Sequence, residues 1–435
     1  MSRLRFPEGF HWGATTTIRT EGAPREGGRG ESIGDRSGRH TRGNGSHGYR
    51  RFEEDVALLA RLGLTRYRFG IDWSRIQAEG KGAALAAGLD HYAALVDALL
   101  AAGIQPAAVL HEGDLPRPLQ ENGGWATRDT AGRFSDFASC VARRLADRVD
   151  VWLPFETPSV FLAEGLLHGR RAPELRDRLA FLKAIHVVNL AQAMAGEALR
   201  AEQSDLQLGA SIVGAACEPG GDEPCDAKAC EEWQVFQEEI FLYPALGLGY
   251  PQAFQADEQQ RVPELHEQEG DETRCRTQID FVEVSLAQSV RVVASGDDRL
   301  GREAEFEALP FEPDVWPETV CHLLDELSAK PDHPPLEVRG LPCLDAPMPA
   351  PDGSLSDESR ILQLTCDLEG VAAAITSGAN IRGYAAPHFL DAPLGPGDGL
   401  AVCGLVAVEA EHGDRTPRAS AAWLGRVAQE AGFER

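Results

Sequence analysis

The chain has 435 residues, with 42 Lys and Arg against 68 Asp and Glu, a formal charge of −26 at pH 7. That acidic surplus argues against a phosphate-tracking nucleic-acid binder, which needs a basic face to displace counterions, and no run approaches the roughly 18–20 uninterrupted apolar residues of a membrane span. Hydrophobic residues at 43% and charged residues at 25% are ordinary globular composition with matter for a large core.

The segment from Met1 to Trp12 is charged early and lacks an apolar signal core, so a cytoplasmic protein is expected. Phe10–Ala14 is the first strand candidate, and Thr65–Ile71 is rich in strand formers. The Ala/Leu run Leu89–Ala102 predicts a helix, Ile104–Leu110 a strand, Thr127–Ala146 a helix and Val149–Phe155 a strand. Leu179–Ala201 is the next helix, and Leu206–Val213, Ile279–Val284, Leu336–Arg339 and Ile381–Ala386 complete the strands. Strands alternating with amphipathic helices through one chain of this length predict a single closed (β/α)8 barrel over residues 1–435. An open nucleotide-binding sheet is disfavoured, because no Gly-rich phosphate fingerprint follows the first strand; no cofactor is expected. The stretches 214–232, 254–278 and 343–358 read as loops.

The nine cysteines are odd in number and mostly widely spaced, which argues against a disulfide framework. Cys217, Cys225 and Cys230 cluster, but without the CxxC-like pair of a structural zinc site, and they are expected to be free thiols in a surface loop. Lysine occurs only at 81, 183, 228 and 330, and Ala, Gly and Arg abound, as in a GC-rich bacterial gene.

A series of motifs in order gives a more specific expectation. FPEGFHWGA (Phe6–Ala14) is followed by Glu21–Gly22, GRGESIGD (Gly28–Asp35) and YRRFEEDVALLARLGLTRYRFGIDWSRI (Tyr49–Ile76). DLPRPLQENGGW (Asp114–Trp125), GLLHGRRAP (Gly165–Pro173), Gly249–Pro251, Arg382–Tyr384 and RTPRASAAW (Arg415–Trp423) complete the set. The chain resembles glycoside hydrolase family 1, the retaining β-glycosidases, nearly end to end. The resemblance implies the barrel fold; fold alone does not transfer the chemistry.

That chemistry needs two carboxyl groups about 5 Å apart across the sugar, one acid/base and one nucleophile. The family's acid/base Glu lies in an N-E-P motif, where this chain has WLPFETPSV. Anchoring on Trp152 and Pro158 sets Glu156 at the family's Asn and Thr157 at its Glu; a one-residue slip returns Glu156 to the acid/base role. The nucleophile motif I-T-E-N-G is replaced by LEVRGLP, with Arg339 at the Thr and Gly340 at the Glu. The resemblance also sets Arg19 at a sugar-binding Gln, Glu112 at a His, Gly113 at a Trp, Ser285–Leu286 at an Asn-Tyr pair, Pro387 at the stacking Trp, and Leu394 and Gly395 at the Glu-Trp of the last strand. Arg68, Trp73 and Arg75 keep the family's residues.

Retaining glycosidase activity is therefore not expected. Strand C-termini form the active face of such barrels, and the replacements gather there: Arg19, His111, Glu112, Glu156, Glu283, Arg339 and His388. Glu156 and Glu112 are the candidate acid and base, since two carboxylates in one partly buried mouth drive one pKa upward. His111 is the candidate proton relay. Arg19 and Arg339 are candidate anchors for a substrate carboxylate or phosphate, with Thr157, Ser285, His388 and Glu283 as further substrate contacts. The alternatives are Glu–Arg pairs that are purely structural, and a metal held by His111, Glu112 and Glu156, which no HxH or HxxxH spacing supports. The expected function is acid–base chemistry (elimination, isomerisation, cyclisation or atypical hydrolysis) on a polar small molecule. A non-catalytic ligand-binding protein and a residual β-glycosidase using Glu156 are the alternatives.

Overall fold

A computed structural model describes residues 3–22, 25–35, 46–252, 254, 268–294, 305–330, 333–343, 348–349, 355–392, 403–409 and 411–434. The expected loops at 254–278 and 343–358 lie partly outside these, and Leu394 and Gly395 entirely so; the described parts of the loops hold a helical turn, Asp271–Cys275, and the strand pair Met348–Pro349 with Leu355–Ser356.

Eight parallel strands close into a barrel. They are β1 (His11–Thr15), β2 (Arg66–Gly70), β3 (Gln105–Val109), β4 (Val151–Leu153), β5 (Gln207–Gly214), β6 (Phe281–Leu286), β7 (Leu336–Arg339) and β8 (Ile381–Ala386). β8 pairs back onto β1 with Gly383 opposite His11, which closes the ring. All eight strands expected from composition are present, and the alternation of strand and helix is that of a (β/α)8 barrel.

The helices cover the outside because their apolar residues recur every three or four positions. In α1 (Gly48–Leu62) the buried side chains are Asp55, Val56, Leu58 and Leu59; Gly63, at φ 73°, ends the helix and donates its N–H to the carbonyls of Leu59 and Ala60. α2 spans Ala86–Ala101, and α3 (Asp129–Leu145) buries Phe134, Phe137, Ala138, Val141 and Leu145. α4 (Arg178–Glu202) begins where the Asp177 carboxylate accepts the Ala180 N–H at 3.0 Å. Its 25 residues match a membrane span in length and composition, yet its most apolar stretch is 78% buried inside the protein. α5 (Pro224–Gln234), α6 (Ile240–Leu246), α7 (Trp316–Ser328), α8 (Glu358–Ser377) and α9 (Ala419–Glu430) follow.

The expected loop at 214–232 instead holds a short strand, Cys217–Pro219, paired with Val290–Val293, and most of α5. Cys217 and Cys230 are joined by a disulfide across this pair of elements, which corrects the expectation of free thiols. The remaining seven cysteines are free.

Inside the barrel the two halves differ. Ala107, Val109, Val151, Leu153 and Phe281 form an apolar half. Opposite lies a polar ladder: Arg66 contacts Glu337 at 2.6 Å in the lowest layer, and Arg68 contacts Glu283 at 3.0 Å above it. Parallel pairing sets Ser211 opposite Glu283 and Ser285 opposite Arg339, so the period of two aims all four inward. The charges rise towards the C-terminal mouth.

Candidate active site in the barrel mouth

The uppermost layer carries the charge constellation. Glu156, just past β4, is held by two cations: Arg339 Nη1 donates to its Oε1, and Arg68 Nη1 lies 3.4 Å from its Oε2. Arg339 Nε also donates to Ser285 Oγ at 2.6 Å, and Ser211 Oγ donates to Glu283 Oε1 at 3.1 Å. Burial alone would raise the Glu156 pKa, but the guanidinium groups of Arg339 and Arg68 outweigh it and hold the carboxyl below the usual range. Glu156 is therefore ionised at neutral pH, which corrects its expected role as the acid. Arg339 lines the cavity, but its guanidinium already serves Glu156 and Ser285, so it braces the site rather than standing free as a substrate anchor. Glu283 points into the barrel, below the cavity wall, where it balances Arg68.

Glu112 is the opposite case. Its Oε2 accepts the Ile18 N–H at 2.8 Å, while its Oε1 is shielded from solvent with no hydrogen-bond partner. Burial first, then the neighbouring Glu156 charge, pushes its pKa up, to about 8. It stands over Gly70: a Cβ at residue 70 would lie 2.6 Å from the Glu112 Cδ. The β2 glycine is what makes room for the carboxyl.

His111 is turned the other way. It sits among Trp125, Phe134, Phe155 and Phe161, accepts the Trp125 indole N–H on Nε2 at 3.2 Å, and is pushed down to about 3 by burial. It does not border the cavity. The expected relay is replaced by a neutral, packed imidazole, which is also turned away from any ligand set with Glu112 and Glu156. His388 does border the cavity and is neutral too, lowered to about 4 by burial and then by Arg339.

Thr157 departs from ordinary backbone geometry: this β-branched residue has φ 34° and ψ 69°, with its N–H donated to Ser211 Oγ at 3.3 Å. Such conformations cost on the order of 1–3 kcal/mol and concentrate at functional sites. Gly340, after β7, admits no side chain. A Cβ there would lie within contact distance of the Tyr384 hydroxyl and 2.7 Å from Asp367 Oδ2. Tyr384 donates to Asp367 at 2.8 Å, as do Trp316 at 2.6 Å and the Leu341 N–H at 3.0 Å. Gly70, Ser211 and this Tyr384–Asp367 pair were not among the sequence candidates, although Gly70 and Tyr384 lie within the motifs Tyr49–Ile76 and Arg382–Tyr384.

A cavity of about 700 Å³ lies at the strand C-termini. Arg19, Glu112, Glu156, Thr157, Ser285, Arg339 and His388 line it, together with Asp114, Arg171 and an apolar set that includes Val160, Phe161, Val213, Leu286 and Phe311. Asp114 is committed to Ser32 Oγ at 2.8 Å and the Gly34 N–H at 3.0 Å. A larger groove of about 1050 Å³ runs outside the barrel beside α7 and α8, and none of the candidate residues lines it.

A closed parallel barrel with its charged residues and cavity at the strand C-termini defines the class of (β/α)8 enzymes. The sequence profile of glycosyl hydrolase family 1 matches residues 2–433, and the chain belongs to that family. It is 29% identical to β-glucosidase A of Thermotoga maritima over the full length of both proteins. It is 36% identical to thermostable β-glucosidase B of Thermobispora bispora, over 99% of this chain and 92% of that protein. The solved family 1 β-glucosidase of T. maritima superposes with a TM-score of 0.91 at 28% identity, covering 99% of both chains. The same enzyme has been solved in complex with isofagomine lactam, and its chain matches with a TM-score of 0.91 at 28% identity over 99% of this chain and all of that one.

Proposed function

We propose that this family 1 barrel no longer performs double displacement and instead carries out acid–base chemistry on a polar small molecule bound in the mouth. The observation that carries the reading is the unequal pair: Glu112 is buried with one oxygen on the Ile18 N–H and the other unpartnered, while Glu156 is clamped by Arg339 and Arg68, so burial favours the protonated form of the first and the cations the ionised form of the second. Glu112 is the proton donor, and once deprotonated it becomes the base that recovers the proton. Glu156, clamped by Arg68 and Arg339, keeps Glu112 protonated by like-charge repulsion and orients the polar ligand. Against a retaining mechanism stands Gly340, which has no carboxylate and no room for one. The setting, a bacterial cytoplasm, rests on composition alone.

Kinship favours β-glucosidase activity, so the test has two arms. Aryl β-glucosides are expected to show no turnover above background; turnover abolished by Glu156→Gln would overturn the proposal and return Glu156 to the acid/base role. Difference infrared spectroscopy at pH 7 is expected to show a protonated carboxyl band that disappears in Glu112→Gln.

A second reading, a ligand-binding protein without turnover, is favoured by one observation: Glu156 and Glu283 are each neutralised by a fixed Arg. Glu112, which no Arg contacts directly among the described ion pairs, is what separates the two readings.

A further inference from the structure

A second chamber of about 190 Å³ adjoins the main cavity behind the ends of β4 and β5. Val160, Val213, Ala287 and Gln288 line both, so a single layer of side chains divides them. The far wall is mostly apolar, with Ala163, Leu167, Trp233 and Phe236, and carries Glu164, His168 and Gln237 as its polar members. Two features mark it as more than a packing fault. The wall segments Ala163–Leu167 and Val235–Glu239 are both π-helical turns, a geometry that is rare and concentrated at functional sites. Ser159, 1% exposed, borders the chamber, and its Oγ has no hydrogen-bond partner. A hydroxyl buried without a partner is destabilising, and a ligand atom that bonds it would relieve that cost. An apolar cavity of about 150 Å³ takes one benzene, so this chamber has the size for one six-membered ring.

We propose that the chamber is a subsite for an aromatic ring bearing one hydrogen-bonding substituent, which meets Ser159 Oγ. The substrate is then amphipathic, with its polar head at Glu112 and its ring passed between Val160 and Val213. The head position rests on the proposed function above; the chamber stands on its own lining.

The test uses propionate, 3-phenylpropionate and a hydroxyphenyl analogue as probes, carboxylates being chosen because Arg19 and Arg171 line the main cavity. By calorimetry the ring is expected to tighten binding about tenfold over propionate, the effect of burying part of a ring, and the hydroxyl a few-fold further. Ala163→Leu, which fills the chamber, is expected to erase the ring's gain, and Ser159→Ala only the hydroxyl's. Crystals soaked in phenol are expected to hold it between Trp233 and Phe236. A ring gain that survives Ala163→Leu, or phenol soaks that leave the chamber empty, would overturn the proposal. Phenol in the chamber with no binding of any acid would uphold the subsite and remove the acid-binding role of the main cavity.

Discussion

Replacing Glu112 by Gln tests the centre of the proposed chemistry without needing the substrate. The amide keeps the volume over Gly70 and an acceptor for the Ile18 N–H, and removes only the titration. The folded pKa is raised from 4.5 to about 8, so between those values the native protein binds a proton that the unfolded chain has released. Wild-type stability must then fall as pH rises through that window, by up to 1.36 kcal/mol per pH unit, and level off above it. The full interval would give a few kcal/mol; because the side chain borders a cavity that admits water, about 2 kcal/mol is the expected remainder. Glu112→Gln and wild type should therefore be equally stable near pH 4.5, with the variant about 2 kcal/mol more stable near pH 8. Urea unfolding midpoints measured across that range read the difference directly. A gap that does not change with pH would show that Glu112 titrates normally and would refute its role as a neutral-pH proton donor.

Glu156→Gln should act with the opposite sign, leaving Arg68 and Arg339 short of a buried counter-charge and costing about 3–5 kcal/mol at pH 7. Because the Glu156 pKa is lowered, its stabilisation is present above the ordinary carboxylate pKa and lost as pH falls through the folded value. Acid titration of the unfolding midpoint should thus be shallower in the variant than in wild type; parallel curves would refute the clamp. Gly340→Ala should destabilise by about 2 kcal/mol through overpacking against Tyr384 and Asp367, and Gly340→Glu should be worse and gain no aryl-glucosidase activity. An unchanged midpoint for Gly340→Ala would show that the wall behind residue 340 yields. Alkylation of the unfolded, unreduced protein should label seven thiols, and reduction should lower stability by roughly 3 kcal/mol, the loop-entropy value for a short ring; nine labelled thiols would exclude the Cys217–Cys230 bond.

The barrel was legible because its strands are short apolar runs set between amphipathic helices, as at Leu336–Arg339 and Ile381–Ala386, whose bounds match the expectation. The elements missed, Cys217–Pro219 and Pro224–Gln234, lie in an acidic, Gly- and Pro-containing stretch whose local composition resembles a loop; strand pairing with Val290–Val293 supplies what composition does not. Adjacent residues at a strand end face opposite ways, so the His111–Glu112 pair put two reactive groups at one position in sequence and only one into the cavity. Nothing local says which. The partnership of Glu156 with Arg339 spans 183 residues, and the clamp that keeps Glu156 ionised exists only once β4 and β7 share a barrel.

Partnerships of the same long-range kind hold the framework motifs together. Glu21 of the Glu-Gly motif accepts from Arg75 at 3.0 Å and from the Tyr92 hydroxyl at 2.5 Å. Asp55 of the EED helix is bound by Arg415 at 2.8 Å, and Asp391 by Arg418 at 2.7 Å, joining the C-terminal motif to α1 and to the end of β8. Removing half of any such buried pair strands a charge and costs several kcal/mol, so these residues change together or not at all. Cavity residues border open space and escape that constraint, yet here they too compensate one another. Arg339 and Glu156 neutralise each other, and Gly70 leaves the volume that Glu112 fills. Under the proposed acid–base function, such pairings hold the mouth in one geometry around Glu112, whose second oxygen is left for the ligand.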